Sequence, residues 1–219
     1  MRLHPFVESV AKLQFENCFN PYTDRCEVHD RWDAPRRRSS VLSAMLHRAA
    51  EEPIDAIWIG RDLGYRGGRR TGLALTDDVH MVAHARRWGV QVGAERPTKG
   101  AAIAERTAAV IWSQLDQIDA RIFLWNVFPL HPHEPGDCFS NRQHNARERC
   151  AGEELLQQLV GDLRPARIVA IGNDAAATAH RIANTTPVYC VRHPSYGGQT
   201  EFKAQVASLY KLSGCDSLF

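Results

Sequence analysis

Four short runs of apolar residues stand out from a more polar background: Ile57-Trp58-Ile59, Ile122-Phe123-Leu124-Trp125, Ile168-Val169-Ala170-Ile171 and Val188-Tyr189-Cys190-Val191. Each run is short, continuous and rich in β-branched or aromatic residues, the pattern of a strand buried on both faces. They predict strands at 55–60, 121–127, 167–172 and 187–192. Between them the apolar period changes to three and four residues. Val41, Leu42, Met45 and Leu46 share one helical face after Ser39 or Ser40 as N-cap, and Leu155, Leu156, Leu159 and Val160 share another within 147–163. Further helices are expected at 77–87, from Thr98 to about 118, at 174–183 and at 201–212, with 61–76, 88–98 and 128–146 as loops. Strands alternating with helices give parallel pairing with right-handed crossovers. The expected fold is α/β, a three-layer α/β/α arrangement around a mostly parallel four-stranded sheet. The whole of 1–219 reads as one domain without repeats, and 1–35 as an irregular N-terminal extension of unassigned role, with a turn at Phe19-Asn20-Pro21-Tyr22.

The strand ends carry the chemistry. The first run continues into Gly60-Arg61-Asp62, the second into Asn126, the third into Gly172-Asn173 and the fourth into Arg192-His193. Ligands of open α/β sheets bind beyond the carboxyl ends of the strands. Asp62, Asn126 and His193 are therefore expected at one crevice. Loops 61–76 and 128–146 both start at such ends, and loops of that length are commonly functional.

Composition narrows the setting. With 219 residues, 44% hydrophobic and 24% charged, the chain can bury a core without disulfides or metal. A net charge of +2 does not by itself imply a nucleic-acid partner. Its distribution is more telling: Arg36-Arg37-Arg38, Arg66 with Arg69 and Arg70, and Arg142 with Arg147 and Arg149 form basic clusters. Any of them can be a solvated face; two lie beside the crevice, where phosphates would be met. No apolar run reaches the roughly 18 residues of a membrane span, and the N-terminus lacks a signal-peptide apolar region. An intracellular protein, cytoplasmic or nucleoid-associated, with reduced thiols and no membrane partner is expected.

Cys18, Cys26, Cys138, Cys150, Cys190 and Cys215 form no C-x-x-C pair. Cys190 reads as a small buried hydrophobe within its strand. His131, His133 and Cys138 are spaced too loosely for a zinc site and lack a fourth ligand. His80 and His84, four apart without the metalloprotease glutamate, read as exposed helix histidines. No metal or cofactor is expected.

The strand-end segments resemble the uracil-DNA glycosylase superfamily over roughly 55–200. Gly60-Arg61-Asp62-Leu63-Gly64-Tyr65, followed by Thr71-Gly72-Leu73-Ala74-Leu75-Thr76, is similar to Gly-Gln-Asp-Pro-Tyr and Gly-Leu-x-Phe-Ser of the uracil glycosylases proper. Gly64 matches instead the Gly-Glu-Ala-Pro-Gly motif of the iron-sulfur branches, so the chain is a hybrid. Leu124-Trp125-Asn126-Val127 resembles the strand whose Asn reads uracil, and His193-Pro194-Ser195 the second catalytic motif. Ser140-Asn141-Arg142 and the following helix resemble the iron-sulfur branches, but Cys18 and Cys26 are too far apart for the cluster's cysteine pair.

The resemblance implies a monomeric DNA repair enzyme that flips uracil out of DNA and hydrolyses its N-glycosidic bond. Asp62 would handle the water and the cation-like sugar, and His193 would stabilise the departing base. Asn126 would read the uracil edge, and Gly60, Arg61, Gly64, Tyr65 and Leu75 would form the pocket; strand alternation, independently, turns Trp125 to the core. Arg66, Arg69, Arg70, Arg142, Ser195 and Gly197 would meet the DNA backbone, and Tyr196 would fill the gap left by the base. Structural readings stand beside each of these: a capping Asp62, a turn-forming Asn126, a strand-end His193, a Gly197-Gly198 turn. A glycosylase for other deaminated bases and a non-catalytic protein binding uracil or abasic DNA remain open, and a nucleotide-binding domain ranks last because no Walker or Rossmann spacing is present.

Overall fold

The computed structural model describes residues 3–91 and 96–212, so Cys215 lies outside the described residues. In chain order the first half holds α1 (Pro5–Ala11), β1 (Cys18–Phe19), α2 (Ala34–Ala50), β2 (Ala56–Asp62), α3 (Gly68–Thr71), α4 (Met81–Arg87) and α5 (Arg106–Leu115). The second half holds β3 (Ile122–Phe128), β4 (His131–Pro132), α6 (Ala146–Leu163), β5 (Ile168–Ile171), α7 (Asn173–Ile182), β6 (Val188–Val191) and α8 (Gln199–Tyr210).

The main sheet is four-stranded and parallel, in the order β3-β2-β5-β6. The chain runs from β2 outward to β3, then crosses back over β2 to β5 and on to β6. The direction of travel therefore reverses at β2 and β5, and the crevice of such a sheet opens beyond their carboxyl ends. Successive side chains point to opposite faces, which divides the core into two layers. Ile57, Ile59, Phe123, Trp125, Val127, Ile168 and Ala170 pack against residues of α1, α2, α6 and α7. Ala56, Trp58, Ile122, Leu124, Val169 and Ile171 pack against α5 and α8. The expected α/β/α layering and the expected core position of Trp125 are both present.

The structure corrects several local expectations. Residues 1–35 are not merely irregular: α1 buries Phe6, Val7 and Val10, and Phe6 lies edge-on to Trp125 at 5.1 Å. Asn20 ties the segment together by donating to the carbonyls of Val10 (2.9 Å) and Leu13 (3.1 Å). α2 starts at Ala34, where Pro35 fits the first helical turn, rather than at Ser39 or Ser40. Thr98 does not cap α5; its hydroxyl donates to Asp78 at 2.9 Å. Cys190 is exposed because β6 is an edge strand that leaves Tyr189 and Cys190 uncovered. His84 is buried rather than exposed, with Nδ1 2.8 Å from the Thr76 hydroxyl.

Candidate active site

The parallel register sets Gly60 of β2 opposite Asn126 of β3, and Asp62 opposite Phe128. Asn126 is 1% exposed, yet neither its Oδ1 nor its Nδ2 has a hydrogen-bond partner. A buried amide with both ends unpaired costs on the order of 1–3 kcal/mol per group. Such a group calls for an explanation, and a ligand that supplies the missing donor and acceptor is one. Gly60 makes the room: a Cβ there would lie 2.6 Å from Asn126 Oδ1 and 2.8 Å from Leu75 Cδ2. A narrow slot beside the amide is lined by Tyr22, Leu63, Ala74, Trp125, Asn126 and Pro129.

The loop after β2 folds over this slot. Thr71 Oγ1 donates to the Thr76 carbonyl at 2.9 Å and accepts from the Leu73 amide at 3.1 Å. Trp112 Nε1 donates to the Leu75 carbonyl at 3.1 Å. Leu75 is held in the left-handed region, φ 55°, which a bulky side chain adopts only when its surroundings enforce it. That strain brings Leu75 against Gly60. Tyr22 enters from the N-terminal segment and donates to the Gly72 carbonyl at 2.7 Å. Sequence reasoning gave Tyr22 only a turn; nothing local marks it as a pocket wall.

Asp62 ends β2 with its side chain 7% exposed. Arg61 Nε donates to Oδ2 at 2.8 Å, and Arg61 Nη1 reaches Asp174 Oδ2 at 3.2 Å. The other oxygen, Oδ1, receives Nδ1 of His144. His144 was not foreseen, because it sits in an aperiodic loop 82 residues from its partner.

His193 follows β6 and packs against the end of β5. Gly172, at φ 91°, approaches so closely that a Cβ would lie 3.3 Å from His193 Cβ. The Ser195 amide donates to His193 Nδ1 at 3.2 Å, and the Ser195 hydroxyl lies 2.7 Å from the same nitrogen. An Nδ1 that accepts an N–H carries no proton, so the neutral ring bears its hydrogen on Nε2. Burial, then the positive charges of Arg61 and Arg192, hold the pKa below its ordinary value. His193 is thus built as a neutral donor.

Other expected site residues are placed differently. Tyr65 does not line the slot; its ring lies 6.3 Å from Phe139, and its hydroxyl accepts from Arg66 Nε at 2.6 Å. Gly64 stands open, with Asn141 Oδ1 4.0 Å from where its Cβ would be. Arg66 is exposed. Arg69 and Arg70 are not surface residues. Arg69 lies over the rings of Phe19 (4.1 Å) and Phe139 (5.1 Å), while Arg70 pairs with Asp78 at 2.7 Å. Arg142 is likewise engaged: it donates to Glu148 at 2.6 and 2.8 Å and to the His133 carbonyl at 3.0 Å. Arg69 and Arg70 are buried, so the expectation that they face DNA phosphates is corrected. The Ser195 amide is also taken, by His193, and is not free for a phosphate. Tyr196 stands 98% exposed at φ 51°, next to Gly197 at φ 79°.

Among the described residues, no three His, Cys, Asp or Glu side chains cluster closely enough to share a metal ion. His131 is fully buried and its Nε2 lies 2.8 Å from the Ser140 carbonyl oxygen. Burial, reinforced by the bond to Glu148, pushes the Cys18 thiol up to about 12, so the free side chain stays protonated. Among the described residues, no helix is long and apolar enough to cross a membrane.

A family model described as the uracil DNA glycosylase superfamily matches residues 21–211. The crystal structure of wild-type Pedobacter heparinus SMUG2 has the same fold, with TM-score 0.58, 12% identity and coverage of 94% of this chain and 97% of that one. No curated protein sequence matches.

Proposed function

Because the chain belongs to the uracil-DNA glycosylase superfamily, we propose that it removes uracil from DNA by hydrolysing the N-glycosidic bond, acting as a monomer. The observation that carries this reading is the buried, unpaired amide of Asn126. Its acceptor and donor complement the N–H and the adjacent carbonyl of uracil. Cytosine presents the opposite polarity at one of those positions, leaving a buried clash of like partners.

The base enters the slot flipped out of the stack, since its sugar carbon is unreachable within a duplex. As the C1′–N1 bond breaks, its electron pair moves onto the base. The neutral His193 donates its Nε2 hydrogen to the developing oxyanion, a task that needs no prior protonation of the base. Asp62 stabilises the cation-like sugar. A water oxygen bonds to C1′ and its proton passes to the carboxylate. Exposed Arg66 and the loop at Tyr196 and Gly197 meet the DNA, Tyr196 occupying the space the base has left.

The test is alkali-revealed cleavage of a labelled oligonucleotide holding one uracil. Asp62→Asn is expected to lower the excision rate by about 100-fold or more. An unchanged rate would remove Asp62 from the chemistry. Binding of the uracil strand without any product from the native chain would favour a non-catalytic reader. A second reading, a glycosylase of broader base range, is favoured by the open space at Gly64. Equal rates on uracil, hypoxanthine and xanthine substrates would establish it over the uracil-specific one.

A further inference from the structure

The carboxylate oxygens of Asp62 have two side-chain donors of different origin. Arg61 is its neighbour in sequence, whereas His144 arrives from the loop that leads into α6. A carboxylate oxygen only accepts, so His144 Nδ1 carries the hydrogen of that bond. The His144 side chain is 10% exposed.

The loop around His144 is fixed on both sides. Asn141 Oδ1 accepts the Tyr65 amide at 3.0 Å, which ties the loop to the segment following Asp62. Arg142 spans from the His133 carbonyl to both oxygens of buried Glu148. Asn145 caps α6 through a reciprocal box: its side chain accepts from Arg147 and Glu148 amides, and its own amide donates to Glu148 Oε2 at 2.7 Å. Arg142, two residues before His144, and Asn145, the residue after it, are thus both held by the same Glu148 carboxylate. On the ring itself, Phe128 lies 6.1 Å away at an interplanar angle of 60°. Little freedom remains for the imidazole other than to face Asp62.

We infer that His144 is a positioning residue for the excision reaction, aiming the Asp62 carboxylate through its Nδ1–H, and that the Asn141–Glu148 brace exists to hold it there. The inference rests on the glycosylase reading. Arg61 alone cannot fix the carboxylate plane, because a single donor on Oδ2 leaves rotation about the Cβ–Cγ bond open. The second donor on Oδ1 closes that rotation. An anion offset by about 1 Å from the sugar carbon loses on the order of 100-fold in rate.

The experiment is single-turnover excision from a uracil oligonucleotide by the native protein, Asp62→Asn, His144→Ala, His144→Asn and His144→Gln. Affinity is measured in parallel on an oligonucleotide with non-hydrolysable 2′-fluoro-deoxyuridine, and folding by thermal midpoint. His144→Ala is expected to lose about 100-fold in rate, with affinity changed less than about threefold. His144→Asn places an amide N–H where Nδ1 was and is expected to regain at least about tenfold, while His144→Gln, which mimics Nε2, does not. A native rate in His144→Ala, with Asp62→Asn inactive, overturns the inference and leaves the glycosylase reading intact. Rescue by Gln rather than Asn overturns it too, transferring the role to Nε2. Parallel loss of rate, affinity and thermal midpoint in all three His144 variants reduces the residue to structure. No excision by the native protein overturns both readings.

Discussion

Asn126 poses a free-energy conflict at a single residue. Its amide lies buried beside Leu75 and Gly60 with no protein group paired to either polar atom. A residue kept only for stability would be replaced by an apolar one of similar shape at no loss. The roughly isosteric Asn126→Leu is therefore expected to leave the thermal midpoint unchanged or to raise it, by on the order of 1 kcal/mol of stability. The same change removes the bidentate contact to the base, for which about 1–3 kcal/mol of discrimination is typical, so uracil excision should fall about 10- to 100-fold. The two readouts move in opposite directions only if the amide serves a ligand. A midpoint several degrees lower with excision retained would make Asn126 structural. Gly60 shares this logic: its missing Cβ is the space into which the Asn126 oxygen faces.

Among elements, the loop entering α6 is tied to one buried carboxylate. Glu148 is 1% exposed and receives Arg142, the Asn145 amide and the Cys18 thiol. Burial raises its pKa, but the bonds from Arg142 and Asn145 more than offset that and leave it depressed. A depressed carboxylate stabilises above its unfolded value, roughly 4.3, and that contribution is lost as pH falls through the lower folded value. Arg142→Ala should cost about 3–5 kcal/mol at neutral pH, because it strands a buried anion. Urea unfolding checks it, and a loss under about 1 kcal/mol would show the clamp to be dispensable. This element also shows where reading the sequence stops. The four main strands were legible because continuous apolar runs have one explanation in an α/β chain, and their polar ends located Asp62, Asn126 and His193. The roles of Arg69, Arg70 and Arg142 were not legible, because an arginine cluster looks the same whether it meets phosphate or a buried carboxylate. The partners, the Phe19 and Phe139 rings for Arg69, Asp78 for Arg70 and Glu148 for Arg142, are chosen by tertiary packing. His144 and Tyr22 were missed for a related reason: each lies in a segment without period, and its function comes from a partner far along the chain.

Across the whole molecule, two buried histidines link the site's loops to global stability. His84 holds Thr76, next to Leu75, and His131 lies against the Ser140 carbonyl, beside Asn141. For both, burial, with Arg87 nearby in one case and Arg69 in the other, lowers the pKa to about 3. In the unfolded chain each titrates near about 6.5. Between those values the unfolded state binds a proton that the folded state refuses, so stability declines as pH falls through this window. At pH 5 each histidine contributes roughly 2 kcal/mol of that decline. The depressed His193 adds in the same direction. The two histidines pack against the loops following β2 and β3, which carry Leu75 and His144 respectively. The thermal midpoint should drop markedly between pH 7.5 and pH 5, and His84→Gln combined with His131→Gln should flatten that dependence even if it lowers the midpoint at neutral pH. A midpoint constant over this range in the native protein, or an equally steep fall in the double variant, would show that these imidazoles do not stay neutral in the folded state.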